Sequence, residues 1–187
     1  DTLILSYTKA GGTTETETLS SKTLTSKTIS SLSAGSSYNI KLQTKVTKNS
    51  QAYTQDVSLN QYTRPNAVTN IKVERNSTYP NSQLDISWTK PSEASGVCIF
   101  YSTGTDLSKA DGGDFVTNKT SSTIKYLTPG TKYNFWVVSY AGAAPDYSDI
   151  QKGTSLNTTT PATYASCYTK PKEITNPAVT ATTTTSA

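Results

Sequence analysis

Apolar residues recur at every second position in several short runs along the chain: Leu3, Leu5 and Tyr7; Leu84, Ile86 and Trp88; Val97, Ile99 and Tyr101; Tyr133, Phe135 and Val137. In a strand such residues share one face, and Asn134, Trp136 and Val138 take the other. No window sustains the 3.6-residue period of an amphipathic helix. The pattern predicts an all-β protein whose strands are separated by turns such as Thr128-Pro129-Gly130.

Laid against itself, the chain repeats. Leu32-Ser-Ala-Gly-Ser-Ser-Tyr38-Asn-Ile40 returns as Leu127-Thr-Pro-Gly-Thr-Lys-Tyr133-Asn-Phe135, an offset of 95 residues (38 to 133). Leu3, Leu5 and Tyr7 return as Val97, Ile99 and Tyr101, an offset of 94 residues (7 to 101). Two separate motifs with nearly the same offset define one structural unit and its copy. A third pair, Thr63-Arg-Pro65-Asn-Ala-Val68 and Thr169-Lys-Pro171-Lys-Glu-Ile174, marks the entrances to units, where proline makes a natural hinge. Its offset of 106 residues (65 to 171) exceeds the others, which places an insertion between Ala141 and Tyr168.

A tryptophan strand ending at Pro91, followed by a tyrosine just after a turn, resembles the fibronectin type III fold. The resemblance implies tandem immunoglobulin-like β-sandwiches, with Trp88 in the core between two sheets and the Tyr133 hydroxyl locking the corner into strand F. Residues 65–170 then form a complete domain. Its strand A holds Val68, Ile71 and Val73, B runs from Leu84 to Trp88, C carries Val97 to Tyr101, E lies near Thr123 to Tyr126, F starts at Tyr133 and G precedes the next linker. Residues 1–64 form a partial domain running from strand C to G, without strands A and B. Residues 171–187 read either as strand A of a following domain or as a donor strand. The alternative match of Leu3–Lys9 to Leu84–Lys90 leaves too little chain before Tyr38 for strand C and its return.

Composition narrows the chemistry. Hydrophobic residues make up 33% and charged residues 16%, and the balance of Thr, Ser and Asn suits solvated outer faces of sheets. Seventeen basic against thirteen acidic residues leave +4, spread singly, so no nucleic-acid partner is expected. No apolar stretch approaches the ~20 residues of a membrane span. The chain opens at Asp1 and contains no Met, as expected of a processed product or an excerpt of a longer protein. Without histidine there is no Ser-His-Asp or Cys-His centre, and two cysteines cannot build a four-Cys zinc site. Carboxylates at Glu15/Glu17, Asp111/Asp114 and Asp146/Asp149 lie in polar, turn-like contexts. No catalytic residue, cofactor or metal is expected.

Candidate sites are therefore surface features. Asn76, Asn118 and Asn157 head Asn-x-Ser/Thr sequons, which suit a secreted or cell-surface glycoprotein. Phe100 and Trp136 point away from the core side on strands that are neighbours in the fold, so they form an outer patch for a sugar or a protein, or one that shields lysine stems. The segment Ala141–Asp149 occupies the loop between strands F and G, which some members of the family use for partners. Tyr147 within it is either a binding anchor or folds back onto strand G. Cys98 and Cys167 are an even count and suggest a bridge. Strands C and G, however, lie two ladder spacings apart, roughly 9.6 Å, beyond the ~7 Å Cα limit unless a linker folds back.

These features favour an extracellular structural or adhesive protein of repeated sandwiches, a stalk or a filament subunit without catalysis. The alternatives are a receptor or carbohydrate-binding ectodomain, or an accessory module of a secreted enzyme. Expected partners are other protein subunits, including head-to-tail copies, and glycans. In the head-to-tail case Leu3, Leu5, Ile29 and Ile40 are poorly covered, and Ile174, Val179 and Ala181 supply the spare strand.

Overall fold

A computed structural model describes residues 2–19, 23–111, 113–159 and 164–175. The first unit is one antiparallel sheet. β1 (Thr2–Lys9) lies between β2 (Thr14–Leu19) and β3 (Ser37–Lys48), and β4 (Gln51–Tyr62) closes the order β2-β1-β3-β4. Opposite partners keep the apolar pattern on one face: Leu5 faces Leu42, Tyr7 faces Ile40, and Ile40 and Leu42 face Leu59 and Val57. The reverse face carries Ser6, Thr8, Thr16, Lys41 and Gln43. Alternation of this quality fixes register, because a slip by one residue would move every leucine onto the polar face.

The second unit has two sheets. β5 (Thr69–Arg75), β6 (Leu84–Thr89) and β9 (Ser121–Ile124) form one, in the order β5-β6-β9. The other follows the order β11-β10-β7-β8, from β7 (Gly96–Ser102), β8 (Phe115–Val116), β10 (Lys132–Tyr140) and β11 (Ala165–Tyr168). Leu84, Ile86 and Trp88 from the first sheet meet Val97, Ile99, Phe135 and Val137 from the second in one buried cluster. Val68, Ile71 and Val73 pack against its margin. Trp88 is 4% exposed, so the tryptophan expected in the core is there.

The insertion read from the repeat offsets holds a short helix, α1 (Tyr147–Lys152), closed by Gly153 in the left-handed conformation (φ 69°). Left-handed geometry costs glycine little, and its N–H caps the carbonyls of Asp149 and Ile150. Six residues are too few to show a periodic stripe in sequence, and for that reason the helix escapes a period-based reading.

Two expectations are corrected by the fold. The Cys98 and Cys167 thiols are free. Cys98 lies opposite Val138 and packs in the outer cluster, whereas Cys167 lies opposite Tyr133 and packs on the sandwich core. The two side chains thus leave opposite faces of one sheet. Phe100 and Trp136 do point away from the core, but they are 0% and 4% exposed and present no surface patch.

Candidate interaction surfaces

What covers Phe100 and Trp136 is a second small core on the outer face of β7 and β10. Cys98, Phe100, Ala110, Trp136, Val138 and Ile150 bury one another, with Leu107, Phe115 and Tyr147 packed around them. The Phe100 ring meets Tyr147 edge-on at 5.6 Å, and Tyr147 lies 4.5 Å from Phe115. Trp136 lies 5.4 Å from the Tyr164 ring. Tyr147 is therefore no free anchor: its hydroxyl donates to the Gly113 carbonyl at 2.6 Å. Burial, and secondarily the charge of Asp114, push the Cys98 thiol far above its usual range, so it stays a protonated, unreactive filler. The signal for this second core was present in sequence. Gly96–Ser102 and Lys132–Tyr140 carry apolar residues on both sides of the pleat, as strands covered on both faces do.

Each unit is locked at one corner by the same pair of devices. The Tyr133 hydroxyl accepts the Thr128 N–H at 3.0 Å, and the Tyr38 hydroxyl accepts the Ser33 N–H at 3.0 Å. Donation from Ser33 holds the Tyr38 phenol below its ordinary pKa. Thr169 then clasps the same turn: its Oγ1 donates to the Thr128 carbonyl at 2.7 Å and accepts the Thr131 N–H at 3.0 Å. In the first unit Thr63 does likewise, donating to Ser33 O at 2.6 Å and accepting from Ser36 N–H at 3.0 Å. The repeated Thr-x-Pro motif is thus a clasp at its threonine as well as a proline turn. Sequence reading singled out the proline and missed the threonine two residues before it.

The joint between the units is tight. Just past the linker, and within the second unit, Asn66 donates through its backbone N–H to Glu93 Oε1 at 3.0 Å, and the Ser139 hydroxyl donates to the Asn66 carbonyl at 2.7 Å. Bonds from its own backbone N–H and from Asn66 hold the Glu93 carboxyl below the usual carboxylate range. At Gly35 (φ 59°) a Cβ would lie 2.6 Å from the Glu93 carbonyl, and at Gly142 (φ 74°) 2.6 Å from the Tyr62 ring. Both close approaches bridge the two units, and both demand glycine.

The sequons differ in their surroundings. Both Asn76 and Asn157 are half-buried with the side-chain amide engaged, Asn76 Nδ2 on the Asp85 carboxylate and Asn157 Nδ2 on the carbonyls of Ala141 and Ala143. Asn118 is exposed in the loop between β8 and β9. Among the described residues no group of three His, Cys, Asp or Glu could hold a metal ion, and no helix is long and apolar enough to cross a membrane. A cleft of about 230 Å³ lies between the linker residue Arg64 and the Ile150–Thr159 segment.

Residues 66–150 match the family model of the fibronectin type III domain. This segment is a fibronectin type III domain. Among solved structures, the chain resembles a two-domain fibronectin type III segment of chicken tenascin at 21% identity, with 76% of this chain and 77% of that one covered and a TM-score of 0.43. It also resembles the FN1–FN3 domains of chicken CNTN1 at 18% identity, covering 90% of this chain and 55% of that one with a TM-score of 0.45. No curated protein sequence matches the chain.

Proposed function

We propose that the chain is part of an extracellular structural or adhesive protein in which β-sandwich units are held end to end as a stalk, without catalysis of its own. On this reading residues 65–170 are one whole unit, residues 1–64 belong to the unit before it, and 171–187 lead into the next. The observation that carries it is the joint. Gly35 lies close against Glu93 and Gly142 against Tyr62 across the two units, and Asn66, just past the linker, is pinned to Glu93 and Ser139 of its own unit rather than left on a free linker. Such a joint transmits orientation along a row of units, which a spacer requires and a flexible tether does not. Internal use of Phe100, Trp136 and Tyr147 also withdraws the aromatic surface on which a sugar-binding ectodomain would rely. Glycans at Asn118 fit the same extracellular setting.

Small-angle X-ray scattering of the chain tests the stalk. One inter-unit geometry should fit the data, and Gly35→Val should broaden it into a distribution. A wild-type chain that already needs a broad ensemble would contradict the reading. A glycan array supplies the second arm, because sugar binding by the folded chain would favour the ectodomain alternative.

A further inference from the structure

The cleft between the linker and the insertion is bordered by cations and by no acid. Arg64 and Lys152 line it, Leu107 and Ile150 form an apolar wall, and none of its lining residues is Asp or Glu. Among the described residues the ion pairs are Lys27–Glu17, Lys41–Asp56, Lys109–Asp106 and Lys170–Glu173, so neither Arg64 nor Lys152 has a carboxylate partner. Nearby acceptors are already in use. The Asp106 carboxylate accepts the Ser108 N–H at 3.0 Å and pairs with Lys109, and that of Asp149 accepts the Thr154 hydroxyl at 3.3 Å. At the end of α1 the carbonyls of Asp149 and Ile150 are capped by the N–H groups of Gly153 and Thr154. Ser155 Oγ donates to Asn157 Oδ1, and Thr159 Oγ1 is bonded to Ser139 Oγ at 3.1 Å. Two positive charges thus border one cleft without a counter-charge of their own.

We propose that this cleft is a binding site for a small organic carboxylate with a short aliphatic body. The Arg64 guanidinium offers a planar fork of N–H donors that matches a carboxylate, and the Lys152 ammonium adds a second charge. Leu107 and Ile150 cover the aliphatic part. Ile150 is 4% exposed and belongs to the outer core, so this wall is fixed before a ligand arrives. At about 230 Å³ the cleft is smaller than the roughly 300–1,000 Å³ of sites for drug-sized molecules, which limits the body to a few carbons. An inorganic anion would meet the two cations but leave the apolar wall wet, so an acid with a hydrocarbon arm is the better fit. Position adds a consequence. The Arg64 carbonyl accepts the Gly35 N–H of the first unit at 3.0 Å, whereas Lys152 lies in the insertion of the second. A carboxylate held by both side chains therefore bridges the units.

The test titrates the full ¹⁵N-labelled chain with sodium butyrate at constant ionic strength and follows amide shifts by NMR. Butyramide serves as the uncharged counterpart, and acetate and sulfate as anions without the hydrocarbon arm. Butyrate should give saturable shifts centred on Arg64, Leu107, Lys152 and Gly153. Acetate should bind about tenfold more weakly, the worth of two buried methylenes. Arg64→Gln and Lys152→Gln, both at exposed positions, should each weaken butyrate by about tenfold or more, with Arg64→Lys losing less than Arg64→Gln. Leu107→Ala should weaken butyrate and leave acetate unchanged. Unaltered shifts in β7 and β10 show that each variant is folded. Equal shifts with butyramide, no saturation below about 0.1 M, or binding untouched by both glutamine variants would each overturn the proposal. Sulfate binding as tightly as butyrate also overturns it, because the cleft would then take anions without regard to the hydrocarbon. Neither the site nor its readout depends on the stiffness of the joint, so this test and the scattering test fail separately.

Discussion

Two sheets of this molecule share strand order, turn and lock, yet one is sealed and the other open. β2-β1-β3-β4 and β8-β7-β10-β11 run in the same order, and both carry the tyrosine–turn bond and the threonine clasp. What differs is cover. Leu42 is 37% exposed where its counterpart Val137 is 5% exposed. Strand order and corner geometry are therefore set within about a hundred residues of local chain, whereas burial depends on a partner layer. The second unit goes further and covers its sheet on both faces, the inner by β5-β6-β9 and the outer by α1 and the segment around Leu107.

The contrast breaks most sharply by deleting core side chains. Trp88→Ala and Phe100→Ala should each cost the second unit about 3–5 kcal/mol, while Leu42→Ala in the open sheet should cost about 1 kcal/mol or less. Urea unfolding followed separately in each unit gives the comparison. A small loss at Phe100 would mean that the outer cluster contributes no real core.

The shared corner should respond alike in both units. Thr169→Val leaves the Thr131 N–H and Thr128 carbonyl without their side-chain partner and should cost about 1–3 kcal/mol. Thr63→Val should fall at the lower end, since its site is half-buried rather than sealed. Tyr133→Phe and Tyr38→Phe each remove one hydrogen bond, for about 1 kcal/mol. Effects in one unit alone would show that the repeat in sequence is not a repeat in energetics.

Acid provides the mildest perturbation. The Glu93 carboxyl is held below its ordinary value, so its contribution to the joint is complete above the unfolded pKa of about 4.3. That contribution is lost as pH falls through the lowered folded value. Scattering should show the joint loosening at low pH before either unit unfolds, and Glu93→Gln should remove the pH response.

Much of this was legible in the sequence, for physical reasons that vary from place to place. Period-two alternation located β1 and β6, because one-sided burial leaves that imprint, whereas β7 and β10 show it only in their core-facing residues and are apolar on the other side as well. The tyrosine lock was readable because Tyr follows its turn at a fixed spacing. The side to which Phe100 and Trp136 point was also readable, but not what covers them. Their cover comes from a six-residue helix and a loop, neither long enough for a periodic signature. Thr63 and Thr169 were visible only as neighbours of proline, since a clasp formed across 30 or more residues leaves no local trace. The free thiols follow from strand register, which places Cys98 and Cys167 on opposite faces.

Native-state amide exchange across the whole chain tests the central contrast most directly. Amides at the centres of β7 and β10, such as Ile99 and Val137, should open only with unfolding of the second unit. Their counterparts in β1 and β3, Leu5 and Leu42, should exchange through a smaller opening, at least about tenfold faster under the same conditions. Equal protection in the two sheets would contradict the account, because it would mean that the open face costs the first unit nothing.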